Sequence, residues 1–356
     1  MPPYLIVKII ASFRRFLIGV NRKLFPAGVV LYEQFQSLWV LPSLYVASKL
    51  DIAENLKLGP LSADELAARC NVNADALYRV LRALAADGVF RQLRDGRFAL
   101  NRRAKPLLDG KGSLRHMLIH HLGPVNWHSL GELMFTVRTG KTAFIHLHGK
   151  DLYSYLKEHP DEYAVFDRSM SNLSELGLMP LLRAFPYGKY KVIADIGGGE
   201  GFLLSAILNE HPGSTGILFD LPEALEKAPS FLESQGTLSR IRIVPGNFND
   251  PIGLSADLFI LKNIIHNWND EQAARILRNI AGGMGHGAKI LIIDMIVPEH
   301  GGSPTPSLLD IQMLASFENG RERTKAEFER VVSLAGLKVE RIVPTIAPIS
   351  LIELSK

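Results

Sequence analysis

From Lys191 onward the chain alternates short apolar runs with longer segments whose apolar residues recur at helical spacing. Runs at 191–196, 216–220, 241–245, 257–262 and 288–294 have the length and near-continuous apolar character of strands covered on both faces. Phe202 to Glu210 and a stretch at 325–335 read as helices, and Lys338 to Val343 and Ile349 to Leu354 as closing strands. Strand, helix, strand in regular order predicts a doubly wound α/β domain, which gathers ligands at the carboxyl ends of its parallel strands.

Upstream the pattern changes. Leu61-Ser62-Ala63-Asp64-Glu65 opens a helix with Ser62 as N-cap and Glu65 completing a capping box. Asn73 to Leu84 supplies the next helix, with Leu77, Val80, Leu81 and Leu84 on its apolar side. Val89 to Leu93 and Arg97 to Leu100, separated by Arg94-Asp95-Gly96, predict a hairpin, so the whole reads as a helix-turn-helix with a wing. Residues 104–185 are mostly helical in pattern. Phe166 and Met170 stand one turn apart and project to one face. His116 and His120 do too, but no acidic third ligand accompanies them and no metal site is predicted.

At 356 residues, 47% hydrophobic and 21% charged, the chain is long enough for two domains, and no apolar run reaches the length of a membrane span. Cys70 is the only cysteine, which excludes an internal disulfide and a thiolate zinc cage and fits a reducing cytoplasm. On its amphipathic helix it reads as a packed thiol. Residues 1–120 hold 18 Lys and Arg against 9 Asp and Glu, and the rest hold 22 against 27. A basic helix-turn-helix admits a ligand-responsive DNA-binding regulator, with Arg79, Arg82, Arg91, Arg94 and Arg97 on phosphates. The favoured reading packs the apolar side into a dimer and leaves these arginines on a solvated face. Tyr4 to Val20, broken by Lys8, Arg14 and Arg15, reads as a helix packed on a partner subunit, with peripheral membrane contact as the other reading.

The candidate chemistry begins at Asp195-Ile196-Gly197-Gly198-Gly199-Glu200-Gly201, an apolar strand running into alternate glycines. Gly197, Gly199 and Gly201 let a ligand approach the backbone, and Asp220, ending the next strand, stands where a carboxylate takes a ribose hydroxyl pair. Phe202 occupies the place where a dinucleotide turn needs its third glycine, so the pattern points to a nucleoside pocket. The structural alternative for Asp220 is a cap on the helix starting at Leu221-Pro222-Glu223.

Leu261-Lys262-Asn263-Ile264-Ile265-His266-Asn267-Trp268-Asn269-Asp270 and Arg321-Glu322-Arg323-Thr324 follow in order. With the glycine turn they resemble the S-adenosylmethionine-dependent O-methyltransferases of the caffeate and acetylserotonin type, from about Leu38 to the C-terminus. The resemblance implies a winged-helix-like dimerisation domain at 1–110, a helical connection at 111–185 contributing to an acceptor pocket, and a Rossmann-like domain at 186–356 whose last strand is antiparallel. It implies a cytoplasmic homodimer that uses S-adenosylmethionine on a small hydroxylated acceptor, aromatic or polyketide-like, with no nucleic-acid partner. Asp195 and the glycine turn would cradle the methionine and ribose portion. Asp220 would take the ribose hydroxyls, Asn247 and Phe248 would meet adenine, and Lys262 would stand near the cofactor. His266 would be the general base, supported by Asp294 and Glu322, with no metal required. Trp127, Phe144, Phe166, Met170, Asn267 and Met313 would line the acceptor side. Three positions depart from the family: Asn247 and Asn267 replace aspartates, and Asp294 stands where glutamate is more frequent. N- or C-methylation, or a diverged homologue with another reaction, are the alternatives within the same fold.

Overall fold

The structure, a computed structural model, describes residues 4–356; residues 1–3 of the expected N-terminal domain lie outside the described residues. It contains two compact units, one comprising the chain through Gly131 together with Tyr153–Leu176, the other Glu132–Leu152 with Gly177–Lys356.

The first unit opens with helices α1 (Tyr4–Leu24), α2 (Ala27–Lys49), α3 (Ala63–Cys70) and α4 (Ala74–Ala86). The expected capping box begins α3: Glu65 N–H donates to the Ser62 hydroxyl at 3.1 Å, and Ser62 N–H donates to the Glu65 carboxylate at 2.7 Å. Leu66, Leu77, Leu81 and Leu84 bury together with Phe90 and Phe98, while Val80 sits half-buried at the margin. The hairpin is present as Arg91–Gln92 paired antiparallel with Phe98–Ala99. All five arginines of the DNA-binding reading are exposed. Cys70 Sγ donates to the Leu50 carbonyl at 3.3 Å, and burial raises its pKa, as for a packed thiol. Helix α5 (Pro160–Ala184) carries the chain onward, and the division between the units falls within it.

The second unit is built on a seven-stranded sheet. Its strands are β1 (Val192–Ile196), β2 (Thr215–Asp220), β3 (Ile241–Pro245), β4 (Leu258–Lys262), β5 (Lys289–Asp294), β6 (Lys338–Pro344) and β7 (Ser350–Ser355), in the order β6-β7-β5-β4-β1-β2-β3. Pairing is parallel from β3 to β5, and β7 enters antiparallel to both neighbours. Leu258 and Ile260 of β4 face one core with Leu204, Ile207 and Leu208 of α6 (Phe202–Glu210). Phe259 and Leu261 face the other with α7 (Asp270–Gly283) and, beyond α8 (Thr305–Ser316), α9 (Lys325–Leu334). Burial on both faces is why these strands read as unbroken apolar runs. Truncating Phe259, fully buried, to alanine would cost about 3–5 kcal/mol.

Strand β4 ends at Lys262, short of His266. Asn263 takes a left-handed φ of 54° while its N–H donates to the Ile293 carbonyl at 3.0 Å. The chain then tightens into a 3₁₀ turn, Ile265–Asn267, that lifts His266 above the sheet end.

Candidate active site

The turn after β1 holds Gly197 at φ 72° and Gly199 at φ 57°, a conformation that costs an L side chain about 1–2 kcal/mol. Gly197 also lacks room: a Cβ there would lie 2.5 Å from Ile264 Cδ1 and 3.6 Å from the Phe248 ring. A Cβ at Gly199 would meet nothing within 4 Å, so the backbone there faces open space. Gly201 is the N-cap residue of α6. Gly198, which the alternate-glycine pattern passes over, is packed so tightly that its Cβ would fall 2.7 Å from Asp195 Cγ.

Asp220 ends β2 beside this turn. Its Oδ2 accepts from Gly199 N–H at 2.8 Å and its Oδ1 from Leu221 N–H at 2.7 Å, leaving a further lone pair on each oxygen. Burial raises its pKa in spite of these donors. The short helical turn Pro222–Leu225 has no side-chain cap, so Asp220 does not serve as one. Phe248 lies near Gly197 and meets Trp268 edge-on at 5.9 Å. Asn247 is exposed, and its Oδ1 accepts from Asn249 N–H at 2.9 Å and from Asn249 Nδ2 at 3.1 Å, so this oxygen is occupied within its own loop.

Under the turn lies a group of buried charges. Burial pushes Asp195, 2% exposed, up to about 7, with Lys262 opposing and Asp220 adding. Lys262 is lowered by its own burial against the pull of Asp195 and Asp294. Asp294, 0% exposed at the end of β5, is also pushed up to about 7 by burial, opposed by His266. Among the described residues neither Asp294 oxygen has a hydrogen-bond partner. Buried carboxylates in this state favour the arrival of further positive charge.

His266 Nδ1 lies 2.8 Å from Glu322 Oε1 and 3.8 Å from Asp294 Oδ1. Glu322 therefore makes the hydrogen bond, and the shorter Asp294 acts through its charge alone. Burial by itself would lower the histidine's pKa, but Asp294 and Glu322 outweigh it and raise it. A carboxylate can only accept, so Nδ1 carries the hydrogen and Nε2 is the basic nitrogen.

Residues that carried no assigned role hold this pair in place. Glu322 N–H donates to Asp310 Oδ1 at 2.7 Å, and Arg321 N–H donates to the His266 carbonyl at 2.8 Å. Arg323 is 0% exposed, and its guanidinium donates to the carbonyls of Ile265 at 3.0 Å and Trp268 at 2.6 Å and to Asp270 Oδ1 at 2.9 Å. It thus ties both sides of the His266 turn to the neighbour of Glu322. Parallel pairing of Ile296–Val297 with Arg323–Thr324 brings that segment alongside the end of β5. The Arg-Glu-Arg-Thr string marked the segment, but nothing in it distinguishes a buried arginine from a solvated one.

Of the acceptor-side candidates, Asn267 follows His266 and donates from Nδ2 to the Asn263 carbonyl at 3.3 Å. Met313, 3% exposed on α8, is close to the His266 turn: a Cβ on Gly320 would lie 2.9 Å from Met313 Cε and 3.4 Å from the His266 carbonyl. Phe144, fully buried, is on the short helix Ala143–His148 that packs on α8. Trp127, Phe166 and Met170 belong to the first unit and are half-buried there, Phe166 edge-on to His120 at 5.2 Å.

Residues 127–338 match the O-methyltransferase domain family, and residues 32–110 match the O-methyltransferase dimerisation domain family. A phenazine O-methyltransferase of Lysobacter antibioticus is 33% identical over 329 residues, which cover 92% of this chain and 96% of the relative. The solved mitomycin 7-O-methyltransferase superimposes with a TM-score of 0.87 at 31% identity, covering 95% of this chain and 99% of that one. An O-methyltransferase from neocarzinostatin biosynthesis, solved with S-adenosylmethionine and 2-hydroxy-5-methyl naphthoic acid, superimposes with a TM-score of 0.77 at 30% identity over 89% of this chain and 96% of its own.

Proposed function

The chain belongs to the S-adenosylmethionine-dependent O-methyltransferases, and from that premise we propose that it methylates a hydroxyl of a small aromatic or polyketide-like acceptor with His266 as general base. The observation that carries this reading is the 2.8 Å contact between buried His266 Nδ1 and Glu322 Oε1, which directs Nε2 toward proton removal. The residues present suit the cofactor: the backbone faces open space at Gly199, and Asp195 and Asp294 are buried carboxylates favoured by an added cation.

S-adenosylmethionine, when bound, supplies an electrophilic methyl group on a sulfonium. Gly197, Gly199 and Gly201 would present backbone to it, Asp220 would offer its remaining lone pairs to the ribose hydroxyls, and Phe248 would meet the adenine. Asn247 shapes that loop, while Asp195 and Lys262 set the charge beneath. As the acceptor oxygen becomes a nucleophile, His266 Nε2 takes its proton, and Glu322 and Asp294 stabilise the imidazolium. Asn267, Met313 and Phe144 are the acceptor-side residues of the second unit, and Trp127, Phe166 and Met170 those of the first. The phenazine, mitomycin and naphthoic acid named for the relatives are fused-ring molecules, which supports an aromatic acceptor.

In this reading residues 1–110 dimerise, 111–185 contribute to the acceptor pocket and 186–356 bind the cofactor. The dimerisation-domain match and the exposed Leu31, Tyr32, Phe35 and Trp39 on α2 support a homodimer. Among the described residues no helix is long and apolar enough to cross a membrane, and a single cysteine suits a cytoplasmic enzyme. The test is His266→Ala. It should bind S-adenosylmethionine by calorimetry as the parent does, yet lose about 100-fold or more of its turnover on phenolic acceptors followed by mass spectrometry. Unchanged turnover would remove His266 as the base.

A further inference from the structure

We propose that α1 is an interfacial helix that seats this protein on an anionic lipid surface. Ile9, Phe13, Phe16, Val20 and Leu24 recur every three or four residues, which places them on one side of the helix. Each is between 39% and 73% exposed, so among the described residues that side is largely uncovered. Arg15 and Arg22, seven residues apart, stack on the opposite side with Arg14 and Ile18 beside them, and Lys23 borders the apolar side, all exposed. The sequence has five Lys and Arg and no acidic residue before Glu33. A helix with an exposed apolar face, cations on its other side and no acidic residue lies in the plane of a bilayer surface, with its apolar residues among the acyl chains and its cations at the phosphates.

A second copy of the chain suits this face less well. The dimerisation-domain match covers residues 32–110, so α1 lies outside the part of the 1–110 domain that the match supports for subunit pairing. Residues 1–120 also carry twice as many cations as acids, 18 against 9, so a further contact between two copies through α1 would crowd like charges. An anionic membrane reverses that sign.

The test uses the full chain, co-sedimented with phosphatidylcholine vesicles alone and with vesicles containing about 30 mol% phosphatidylglycerol. Binding should rise at least about tenfold on the anionic vesicles and fall in high salt, as electrostatic attraction is screened. Phe13→Glu with Phe16→Glu should abolish sedimentation while S-adenosylmethionine binding and the mass by light scattering stay unchanged. Should that variant misfold by circular dichroism, Arg15→Gln with Arg22→Gln carries the test, and it should lose the preference for anionic vesicles. Absence of binding to anionic vesicles overturns the proposal. So does conversion of the Phe13→Glu, Phe16→Glu protein to monomer, which would assign the face to a second copy.

Discussion

Replacing Glu322 with glutamine removes a charge and almost nothing else. The parent carboxylate lies 2.8 Å from His266 Nδ1, with side chains 0% and 14% exposed respectively, so water does not substitute for it. Glutamine keeps the volume and a neutral acceptor oxygen, but a hydrogen bond to a charged group is worth about 1.5–3 kcal/mol against roughly 1 kcal/mol for a neutral pair. The imidazolium exists only once the acceptor proton has moved, so the difference falls on the transition state, and about 1–2 kcal/mol corresponds to a roughly 5- to 30-fold loss in kcat. The pH profile distinguishes this from a general loosening. Burial opposes, while Asp294 and Glu322 raise, the pKa of His266. A base must be neutral to act, so the parent's rate climbs as pH rises through that raised pKa. Glu322→Gln removes one of the raising groups, and its climb should begin at lower pH even though its plateau is lower. The assay is initial rate of methylated product against pH, with S-adenosylmethionine affinity measured alongside. A plateau equal to the parent's with the acid limb unmoved would refute the assignment of Glu322 as the group that supports the base.

Arg323→Lys keeps the charge but not the fork that reaches Ile265, Trp268 and Asp270. Stability should fall by about 1–3 kcal/mol for a buried carbonyl left without its donor, read in a denaturant titration, and kcat should fall while S-adenosylmethionine affinity holds; a loss of affinity alone would count against a role in positioning His266. Asp220→Asn should weaken S-adenosylmethionine binding about 10- to 100-fold by calorimetry, and undiminished affinity would leave Asp220 only its local bonds from Gly199 and Leu221. In the first unit burial lowers His120 to about 3 from an ordinary 6.5, and His116 and His121 are lowered as well. The unfolded chain binds protons that the folded one refuses, so stability present above pH 6.5 is lost as pH falls toward 3. Melting temperatures across that range should show this slope, and His120→Leu should flatten it; an equal slope would assign the acid sensitivity elsewhere.

Much of the architecture was legible in the sequence because its determinants are local. A strand buried on both faces must be apolar throughout, so β1, β2, β4 and β5 announce themselves. Gly197 and Gly199 stand at positive φ, which glycine adopts freely, and Ser62 with Glu65 writes its capping box into four residues. Family resemblance named candidate site residues but not their geometry. Three decisions belonged to the tertiary structure. Glu322 rather than Asp294 bonds His266 because the pairing of Ile296–Val297 with Arg323–Thr324 sets where each carboxylate ends, and one methylene decides between 2.8 Å and 3.8 Å. Asn247 turns its oxygen to Asn249 because its own loop offers two donors nearby. Arg323 is buried because the carbonyls of Ile265 and Trp268 and the Asp270 carboxylate converge on one point from another part of the chain. Periodicity reports which face of an element is covered; which polar atoms meet across it depends on distances between segments far apart in sequence, and those exist only once the chain has folded.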